Sequence, residues 1–441
     1  ILRCYEMSIH KKTKPRIHVS SSISLIDSPI QIYITGLEPL QEVTIRASRT
    51  AEGINDIYLE SNATFIATKD GNVDLTEQAP ITGSYTGIDG MGLFWSLDII
   101  KISEHYKSTR NDKNPLSPQN LTLSLEINGS IIDEINISRL WKSKQIVRYP
   151  IRENGLVATF FYNENKKANP GIIVLGGSEG GLNEYLAALL ASHNFSVLAL
   201  AYFGIDNLPK QLVEIPLEYI KTAIEWMKNC EEVNENWLGI HGTSRGSELA
   251  LLSACFFHEL KAVTSLNGSA IALSGIVPWS DATTLPPAWT YKRKALPYAS
   301  PTNPISVALE CRKMFEEHRG MPYRKWYNAL TSDSKVVENA TIPVEKINGD
   351  ILLIAGEEDE ADIVRLSKKA IDRLDTFHSP HFYKQLVYKG AGHSIGIPYL
   401  RINYNQGSKK DNAFASIDSW KETIHFFQKS AQSQLEKGMH V

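Results

Sequence analysis

Beyond residue 150 the chain repeats one pattern, a short apolar segment followed by a stretch with helical periodicity. These segments carry hydrophobic residues at consecutive positions, which predicts strands that are covered on both faces. The predicted strands are residues 171–175, 196–201, 237–241, 262–266, 351–355 and 384–388. Strands that alternate with helices in this way are typical of a mostly parallel sheet with helices on both faces, so this half is predicted to be an α/β domain.

The residues before 137 follow a different pattern, in which hydrophobic and polar residues alternate, as in QIYITGL at 31–37 and LTLSLEI at 121–127. Alternation with a period of two predicts strands with one buried face. Asn128 and Gly129 separate two such runs, and this dipeptide favours a hairpin turn because both positions need a positive φ. Several short strands at this spacing predict an all-β, immunoglobulin-like sandwich.

A chain of 441 residues is longer than one hydrophobic core usually supports, which agrees with two domains. Residues 274–344 are rich in proline and aromatic residues and fit neither pattern, so we interpret them as an insertion over the active end of the sheet. The predicted organisation is an N-terminal extension at 1–14, a β-sandwich at 15–140, a linker at 141–150, an α/β domain at 151–435 and a tail at 436–441.

The stretch GIHGTSRGSEL contains Gly-x-Ser-x-Gly at Gly242, Ser244 and Gly246. It follows the predicted strand at 237–241 and opens the helical pattern SELALLSACFF. A strand, a sharp turn and a helix form the context of a nucleophile elbow, which predicts Ser244 as a nucleophile. The alternative is a glycine-rich turn without a catalytic role.

A serine nucleophile needs a base and an acid that orients the base. Asp359 follows the predicted strand at 351–355, and Glu358, Glu360 and Asp362 are the alternatives for the acid. His393 lies in the glycine-flanked loop KGAGHSIG after the last predicted strand. The chain order serine, aspartate, histidine is that of the α/β-hydrolase fold.

Two backbone N–H groups are expected to stabilise the oxyanion. One belongs to Arg245, directly after the nucleophile, and the other to Ser178 in LGGSEGGLNEY, with Glu179 as the alternative. A phosphate-binding loop is disfavoured because neither Gly-x-x-x-x-Gly-Lys-Ser/Thr nor Gly-x-Gly-x-x-Gly occurs in this stretch.

Longer blocks carry a resemblance to a known family. They are APITGSYTGIDGMGLFWSL at 79–97, GGLNEYLAALLASHNFSVLALAYFGIDNLPK at 180–210, LNGS at 266–269, IPVEKINGDILLIAGEED at 342–359 and DSWKETIHFF at 418–427. With these blocks the chain resembles, over nearly its whole length, the acyl-CoA thioesterase and bile acid-CoA:amino acid N-acyltransferase family. The resemblance implies a β-sandwich followed by an α/β-hydrolase domain, with Ser244, Asp359 and His393 as a catalytic triad.

The family resemblance also implies acyl-CoA as the substrate. Thioesterases of this family carry serine at the nucleophile position, whereas members that transfer acyl groups to glycine or taurine carry cysteine, so Ser244 favours hydrolysis. The expected function is an acyl-CoA thioesterase that needs no metal or cofactor. The alternatives are an N-acyltransferase, an esterase or peptidase without CoA preference, and a non-catalytic scaffold protein.

Basic residues in the insertion are candidates for binding the CoA phosphates. They are Lys292, Arg293 and Lys294 in one group and Arg324 and Lys325 in another. The alternative is an ordinary solvated surface without a ligand.

The net charge of −3 favours no nucleic-acid partner, and the apolar runs are too short to span a membrane. The first residues lack the pattern of a secretory signal, and the four cysteines have no metal or redox spacing. We therefore expect a cytoplasmic protein with reduced thiols, whose oligomeric state the sequence does not indicate.

Overall fold

The computed structural model describes residues 14–51, 54–102, 115–278, 285–317, 322–402 and 406–438. One unit extends to Leu140 and includes the short segment Tyr399–Ile402, and the other comprises Trp141–Pro398 and the residues from Asn403 onward. Most of the predicted N-terminal extension at 1–14, and residues 439–441 of the predicted tail, lie outside the described residues.

The first unit consists of strands that form two sheets. Their bounds are β1 Arg16–Val19, β2 Ile23–Leu25, β3 Ile32–Thr35, β4 Glu42–Ala51, β5 Ile54–Ile66, β6 Val73–Asp74, β7 Thr82–Gly83, β8 Asp98–Ile102, β9 Gln119–Ile127 and β10 Ser130–Leu140, with one short helix, α1 Gly92–Trp95. The sheets have the orders β1-β3-β6 and β2-β10-β9-β4-β5-β7, and β8 also pairs with β5. Burial alternates along β4, where Val43, Ile45 and Ala47 are buried, and the predicted all-β sandwich is confirmed.

The predicted hairpin at Asn128-Gly129 is also confirmed. Asn128 has a φ of 51° and Gly129 a φ of 75°, and Ile127 pairs with Ser130 across the turn. The two residues therefore supply the left-handed backbone that a tight antiparallel connection needs.

Residues 79–97, the first of the blocks that carry the family resemblance, include β7 and α1 of the first unit. The carboxylate of Asp89 accepts hydrogen bonds from the Met91 amide and from Trp95 Nε1, both at 2.8 Å. A Cβ at Gly92 would lie 2.5 Å from the ring of Tyr85, so only glycine fits there. These contacts explain the unusual composition of the block by packing within this unit.

The second unit is built on an eight-stranded sheet with the order β11-β12-β14-β13-β16-β17-β20-β21. Its strands and those of a small separate sheet are β11 Ile146–Ile151, β12 Val157–Asn163, β13 Asn169–Leu175, β14 Ser196–Ala201, β15 Ile215–Pro216, β16 Val233–Thr243, β17 Leu260–Leu266, β18 Trp289–Tyr291, β19 Lys294–Ala295, β20 Asp350–Gly356 and β21 Tyr383–Tyr388. All six predicted strands are present, and five adjacent pairings among them are parallel, which confirms the α/β-hydrolase type of sheet.

Two antiparallel strands extend the sheet beyond the prediction. Residues 146–150 were expected in the linker, but β11 pairs with β12 over residues 146–151, and β12 pairs in turn with β14. Ile146 and Ile151 are buried at the two ends of β11, while the residues between them are partly or fully exposed. An edge strand with so few buried positions has only a weak hydrophobic pattern, which explains why the sequence suggested a linker.

Helices of the second unit connect these strands, and three of them lie in the described part of the predicted insertion. The helices are α2 Glu184–Ser192, α3 Glu218–Lys228, α4 Arg245–Phe256, α5 Pro304–Glu316, α6 Tyr323–Leu330, α7 Ser334–Ala340, α8 Ile363–Thr376 and α9 Lys409–Gly438, with a 3-10 helix at Val344–Lys346. Apolar residues of α5, α6 and α7 share a buried cluster with Ala355 of β20 and Leu366 of α8. The described part of the insertion is therefore packed on the sheet domain.

The parallel pairing of β13, β16, β17, β20 and β21 decides where the functional candidates lie. Parallel strands present their carboxyl ends at the same edge of a sheet, where ligands of α/β proteins usually bind. The glycine-rich loop, Ser244, Asp359 and His393 each follow one of these strands.

Candidate active site

Ser244 lies between the end of β16 and the start of α4, with a φ of 52° and a ψ of −120°. Such a backbone conformation is rare for a residue with a side chain and is found at nucleophile elbows. The flanking glycines allow the turn: a Cβ at Gly242 would lie 2.3 Å from the Gly246 carbonyl oxygen, and a Cβ at Gly246 would lie 2.1 Å from that of Gly176. The Gly-x-Ser-x-Gly stretch therefore has the geometry of an elbow and not of an ordinary turn.

His393 lies between Ser244 and Asp359. Its Nε2 is 3.2 Å from Ser244 Oγ, and its Nδ1 is 2.6 Å from Asp359 Oδ2. With Nδ1–H donating to the carboxylate, Nε2 is free to accept the serine proton, which is the arrangement that a serine nucleophile requires.

Asp359 is the acid that the geometry selects among the four candidates. It is only 2% exposed, whereas Glu358 is exposed and Asp362 forms an ion pair with Arg365. The Ala361 amide donates to Asp359 Oδ1 at 2.9 Å, which leaves Oδ2 for His393. Backbone and histidine contacts therefore hold both carboxylate oxygens in place.

The pKa of His393 results from opposing effects. Burial of the partly buried ring by itself lowers the pKa of His393. The hydrogen bond and the negative charge of Asp359 raise this pKa, and the charge of Glu179 adds to the increase. The net result is a pKa above the ordinary value for histidine. Asp359 therefore stabilises the imidazolium that forms when His393 accepts a proton.

Two asparagine side chains hold the histidine loop. Asn267, which follows β17 with a φ of 49°, donates to the His393 carbonyl oxygen at 2.9 Å and accepts from the Gly356 amide at 3.3 Å. Asn412 accepts from the Gly392 amide at 2.9 Å. Neither asparagine was predicted as a site residue, although Asn267 directly follows a strand of the active edge, which was a usable signal in the sequence.

The glycine-rich loop after β13 touches the nucleophile. A Cβ at Gly177 would lie 3.0 Å from Ser244 Cβ, and the Tyr202 hydroxyl donates to the Gly176 carbonyl oxygen at 2.8 Å. Ser178 is exposed in this loop, and Arg245 supplies the first residue of α4. N–H groups of a first helical turn have no partner within the helix, so the Arg245 amide is suited to an oxyanion.

The Arg245 side chain does not take part in that role. It is buried in an ion pair with Glu248 and donates to the carbonyl oxygens of Leu273 and Ser274. Glu248 also accepts from the Leu273 amide and from Trp289 Nε1, each at 3.0 Å. Burial raises the pKa of Glu248, and Arg245 opposes this effect. The pair fastens the start of the insertion to α4.

His241 lies in β16, three residues before Ser244, and its side chain is buried. Its ring nitrogens lie 2.7 Å from Thr264 Oγ1 and 3.2 Å from Thr243 Oγ1, and burial lowers its pKa to about 4. Both ring nitrogens of His241 therefore have hydroxyl partners within the sheet, which agrees with an orienting or packing role.

The basic candidates lie on two separate elements. Lys292 and Arg293, with φ values of 49° and 60°, form the turn between β18 and β19, and Lys294 follows. The neighbouring Tyr291 packs against Phe256, the last residue of α4. This helix of 12 residues starts after Ser244 and is about 18 Å long, so the turn lies near the end of α4 that is remote from the nucleophile.

Arg324 and Lys325 belong to α6, and Lys325 forms an ion pair with Glu310. On the same helix Tyr327 is close to the site: burial raises its pKa, and the charges of Arg245, Glu248 and Asp359 act on it. The two basic groups therefore lie on different elements, one on the β18–β19 turn and the other on α6.

In the described ranges no group of three or more His, Cys, Asp or Glu side chains is placed to hold a metal ion. None of the helices in the part of the chain that the structure describes could cross a membrane. Cys230, Cys255 and Cys311 are free thiols.

Two family models match the chain. One is described as the acyl-CoA thioester hydrolase/BAAT N-terminal region and matches residues 27–153, and the other as the BAAT / acyl-CoA thioester hydrolase C terminal and matches residues 215–433.

Curated relatives are similar over nearly their whole length. Acyl-coenzyme A amino acid N-acyltransferase 2 of Mus musculus is 32% identical over 92% of this chain and 96% of that protein. Acyl-coenzyme A thioesterase 1 of Mus musculus is 28% identical, over 96% and 97%. Peroxisomal succinyl-coenzyme A thioesterase of Mus musculus is 27% identical over 91% of this chain and 93% of that protein.

Among solved structures, a dienelactone hydrolase-like phosphotriesterase from metagenomic libraries is 15% identical over 64% of this chain and 96% of that chain, with a TM-score of 0.39.

Proposed function

Because the chain belongs to the acyl-CoA thioester hydrolase/BAAT family, we propose that it is a thioesterase that hydrolyses acyl-CoA to a free acid and CoA. The observation that carries this proposal is the continuous contact from Ser244 Oγ through the His393 ring to Asp359, at 3.2 Å and 2.6 Å. In a hydrogen-bonded serine, histidine and aspartate arrangement of this kind, the histidine acts as a base and activates a hydroxyl that would otherwise be a weak nucleophile.

In the first half of the proposed cycle, Ser244 Oγ attacks the thioester carbonyl carbon while His393 Nε2 takes the hydroxyl proton. The carbon–sulfur bond then breaks, and His393 returns the proton to the sulfur as CoA leaves. In the second half, a water molecule loses a proton to His393 and attacks the acyl-serine, and the serine oxygen regains that proton as the acid leaves.

The negative oxygen of each tetrahedral intermediate needs donors that are already in place. We assign this role to the backbone N–H groups of Arg245 and Ser178. The support for Arg245 is its position at the start of α4, and the support for Ser178 is the contact of its loop with the nucleophile through Gly177.

Lys292, Arg293 and Lys294, with Arg324 and Lys325 as a second group, are the proposed partners of the CoA phosphates. The first group lies near the remote end of α4, a helix about 18 Å long that starts after Ser244, and this length suits a phosphate group joined to the thioester by a long pantetheine arm. Lys325 already has Glu310 as an ion-pair partner, which makes the first group the stronger candidate.

An N-acyltransferase is the second candidate function. The relative named acyl-coenzyme A amino acid N-acyltransferase 2 is 32% identical, which is the observation that favours it. Ser244 argues for hydrolysis, since the oxygen ester that serine forms reacts with amines less readily than a thioester does.

The test is turnover of purified protein with saturated acyl-CoA substrates of increasing chain length, in which the released CoA thiol and the free acid are both measured. Parallel reactions with glycine or taurine are searched for amide. Equal turnover of simple esters would replace the thioesterase proposal by an esterase without CoA preference. A folded protein without turnover of any of these substrates would favour the scaffold alternative. The predicted cytoplasmic location is tested by cell fractionation.

A further inference from the structure

The glycine-rich loop brings a second carboxylate to the nucleophile, that of Glu179. Glu179 Oε1 accepts a hydrogen bond from the Gly177 amide at 2.9 Å, so the side chain folds back over its own loop. A Cβ built on Gly177 would lie 2.8 Å from Glu179 Oε2 and 3.0 Å from Ser244 Cβ. Because both atoms lie so close to one point, they are less than about 6 Å apart.

The charge of this carboxylate is not neutralised by a neighbouring side chain. In the described ranges Glu179 has no ion pair, and its carboxylate accepts a hydrogen bond from a backbone amide. The guanidinium of Arg245, the cation nearest to the nucleophile along the chain, is buried in its pair with Glu248. The other carboxylate of the site, Asp359, is hydrogen-bonded to His393. The acyl group of a substrate therefore meets a net negative field beside Ser244.

Building on the proposed thioester hydrolysis, we propose that Glu179 is a specificity-determining residue that excludes acyl groups with a carboxylate a few bonds from the thioester. Two like charges several ångströms apart in a partly solvated site repel each other, and this repulsion is absent for a neutral acyl chain. Glu179 is exposed, so solvent screening reduces the effect to about tenfold in kcat/KM. The substrates of this enzyme are accordingly acyl groups without charge near the carbonyl.

Butyryl-CoA and succinyl-CoA are the matched pair for the test, because both have a four-carbon acyl group and they differ in a terminal methyl or carboxylate. The same oxyanion forms from both substrates, so the ratio of their kcat/KM values isolates the effect of the acyl charge. The key variant is Glu179→Gln, which keeps an oxygen for the Gly177 amide and removes the charge.

Glu235→Gln is the control variant. Glu235 is exposed on β16, the strand that ends at the elbow, but it lies nine residues before Ser244, in the first part of the strand where the pairing with β13 is irregular. It makes the same change in net charge away from the site. A nonspecific effect of net charge on CoA binding would appear in both variants.

We expect the wild type to prefer butyryl-CoA by about tenfold or more, and Glu179→Gln to reduce that preference by about tenfold through faster turnover of succinyl-CoA. Glu235→Gln should leave the ratio unchanged. An unchanged ratio in Glu179→Gln would overturn the inference.

A second substrate pair separates failure of this inference from failure of the proposed function. The 4-nitrophenyl esters of butyric acid and succinic acid differ by the same charge and contain no CoA. If the wild type does not hydrolyse butyryl-CoA but hydrolyses these esters, the thioesterase proposal fails, and the ratio of the ester rates still decides the role of Glu179. If Glu179→Gln turns over neither pair, competition by butyrate and succinate against the phosphonylation of Ser244 by a fluorophosphonate, in which fluoride leaves, compares the effect of the added carboxylate on binding in the wild type and in the variant.

Discussion

The side-chain amide of Asn267 donates a hydrogen bond to the backbone carbonyl oxygen of His393 at 2.9 Å. Asn267 Oδ1 accepts a hydrogen bond from the backbone N–H of Gly356, the last residue of β20, which precedes Asp359. One buried side chain therefore connects the segments that carry the base and the acid of the site. We interpret Asn267 as a positioning residue, because a small displacement of a catalytic group costs a large factor in rate.

Asn267→Asp should lower kcat by about tenfold or more and leave KM nearly unchanged, because Asp keeps the acceptor for Gly356 but loses the donor to His393. Asp also tolerates the positive φ of this position. Steady-state kinetics with a thermal melt of each variant gives the measurement. Asn229→Asp is the control, since Asn229 likewise donates to a carbonyl oxygen, that of Glu225, on α3. Wild-type kcat in a folded Asn267→Asp variant would contradict this role.

Ser244→Ala should abolish thioester hydrolysis, with a loss on the order of 10⁶-fold, because the members of a triad act as a unit. Folding should persist, which circular dichroism would verify. Ser178→Ala is the matched control, because Ser178 is proposed to act only through its backbone N–H and should keep activity close to wild type. Substantial activity in Ser244→Ala would show that another group is the nucleophile.

Ser244→Cys should increase the ratio of amide to free acid when acyl-CoA and glycine are supplied together. The acyl-enzyme would then be a thioester, which amines attack more readily than an oxygen ester. Mass spectrometry of the products measures the ratio directly. If the ratio equals that of the wild type, nucleophile identity does not decide between water and amine in this protein.

The dependence of activity on pH should report His393. This residue must be neutral to accept the serine proton, so kcat/KM should fall as pH decreases through its pKa, and the midpoint should lie above the ordinary histidine value because the net shift is upward. Asp359→Asn removes the hydrogen bond and charge that raise the pKa, so the midpoint should move to lower pH and the rate should fall about 10⁴-fold.

Asp362→Asn serves as the control for the pH experiment. Asp362 is a neighbouring carboxylate that pairs with Arg365 instead of His393, so its replacement should leave the profile in place. If the pH profile shifted in Asp362→Asn but not in Asp359→Asn, the acid that orients His393 would be Asp362 and the assignment of Asp359 would be wrong.

Removing the charges of the β18–β19 turn should weaken the use of CoA substrates. Lys292→Asn, Arg293→Asn and Lys294→Gln together should raise KM for acyl-CoA several-fold with little change in kcat, because contacts to the phosphates are equally strong in the ground and transition states. Asn suits the positive φ of the first two positions.

A short ester without phosphates is the control substrate for this triple variant, and its kinetics should not change. Added salt should raise KM for acyl-CoA in the wild type in the same direction, since screening acts over about 8 Å near 0.15 M ionic strength. An unchanged KM in the triple variant would leave Arg324 and Lys325 as the candidates to test.

The parallel strands and the spacing of the site residues were predictable because both follow local rules. A strand buried on two faces must be apolar throughout, and Ser244 and Asp359 follow strands with such buried runs, β16 and β20. The strand before His393, β21, is only partly buried, but its position in the chain after β20 still placed the histidine loop at the same edge. By contrast, β11 has a weak pattern because only its end residues are buried. The contacts of Asn267 join residues far apart in the chain, and no local pattern specifies such partners.

The direction of the Glu179 side chain likewise could not be predicted from the sequence. Only the backbone N–H of Glu179 was a candidate from the sequence, because a glycine-rich loop has no periodicity from which to place a side chain. Its carboxylate turns toward Ser244 through a contact with Gly177, two residues earlier. Burial of the Arg245 side chain depends likewise on residues 28 and 29 positions away, Leu273 and Ser274.

The close approach of Gly246 to the Gly176 carbonyl oxygen, where a Cβ would lie at 2.1 Å, has a consequence for protein engineering. The elbow and the glycine-rich loop interlock so tightly that neither has room to adapt to a new partner sequence. A chimaera that takes only one of the two segments from a relative would place mismatched backbones against each other. Exchange of substrate preference between relatives should therefore succeed only when both segments are transplanted as a single module.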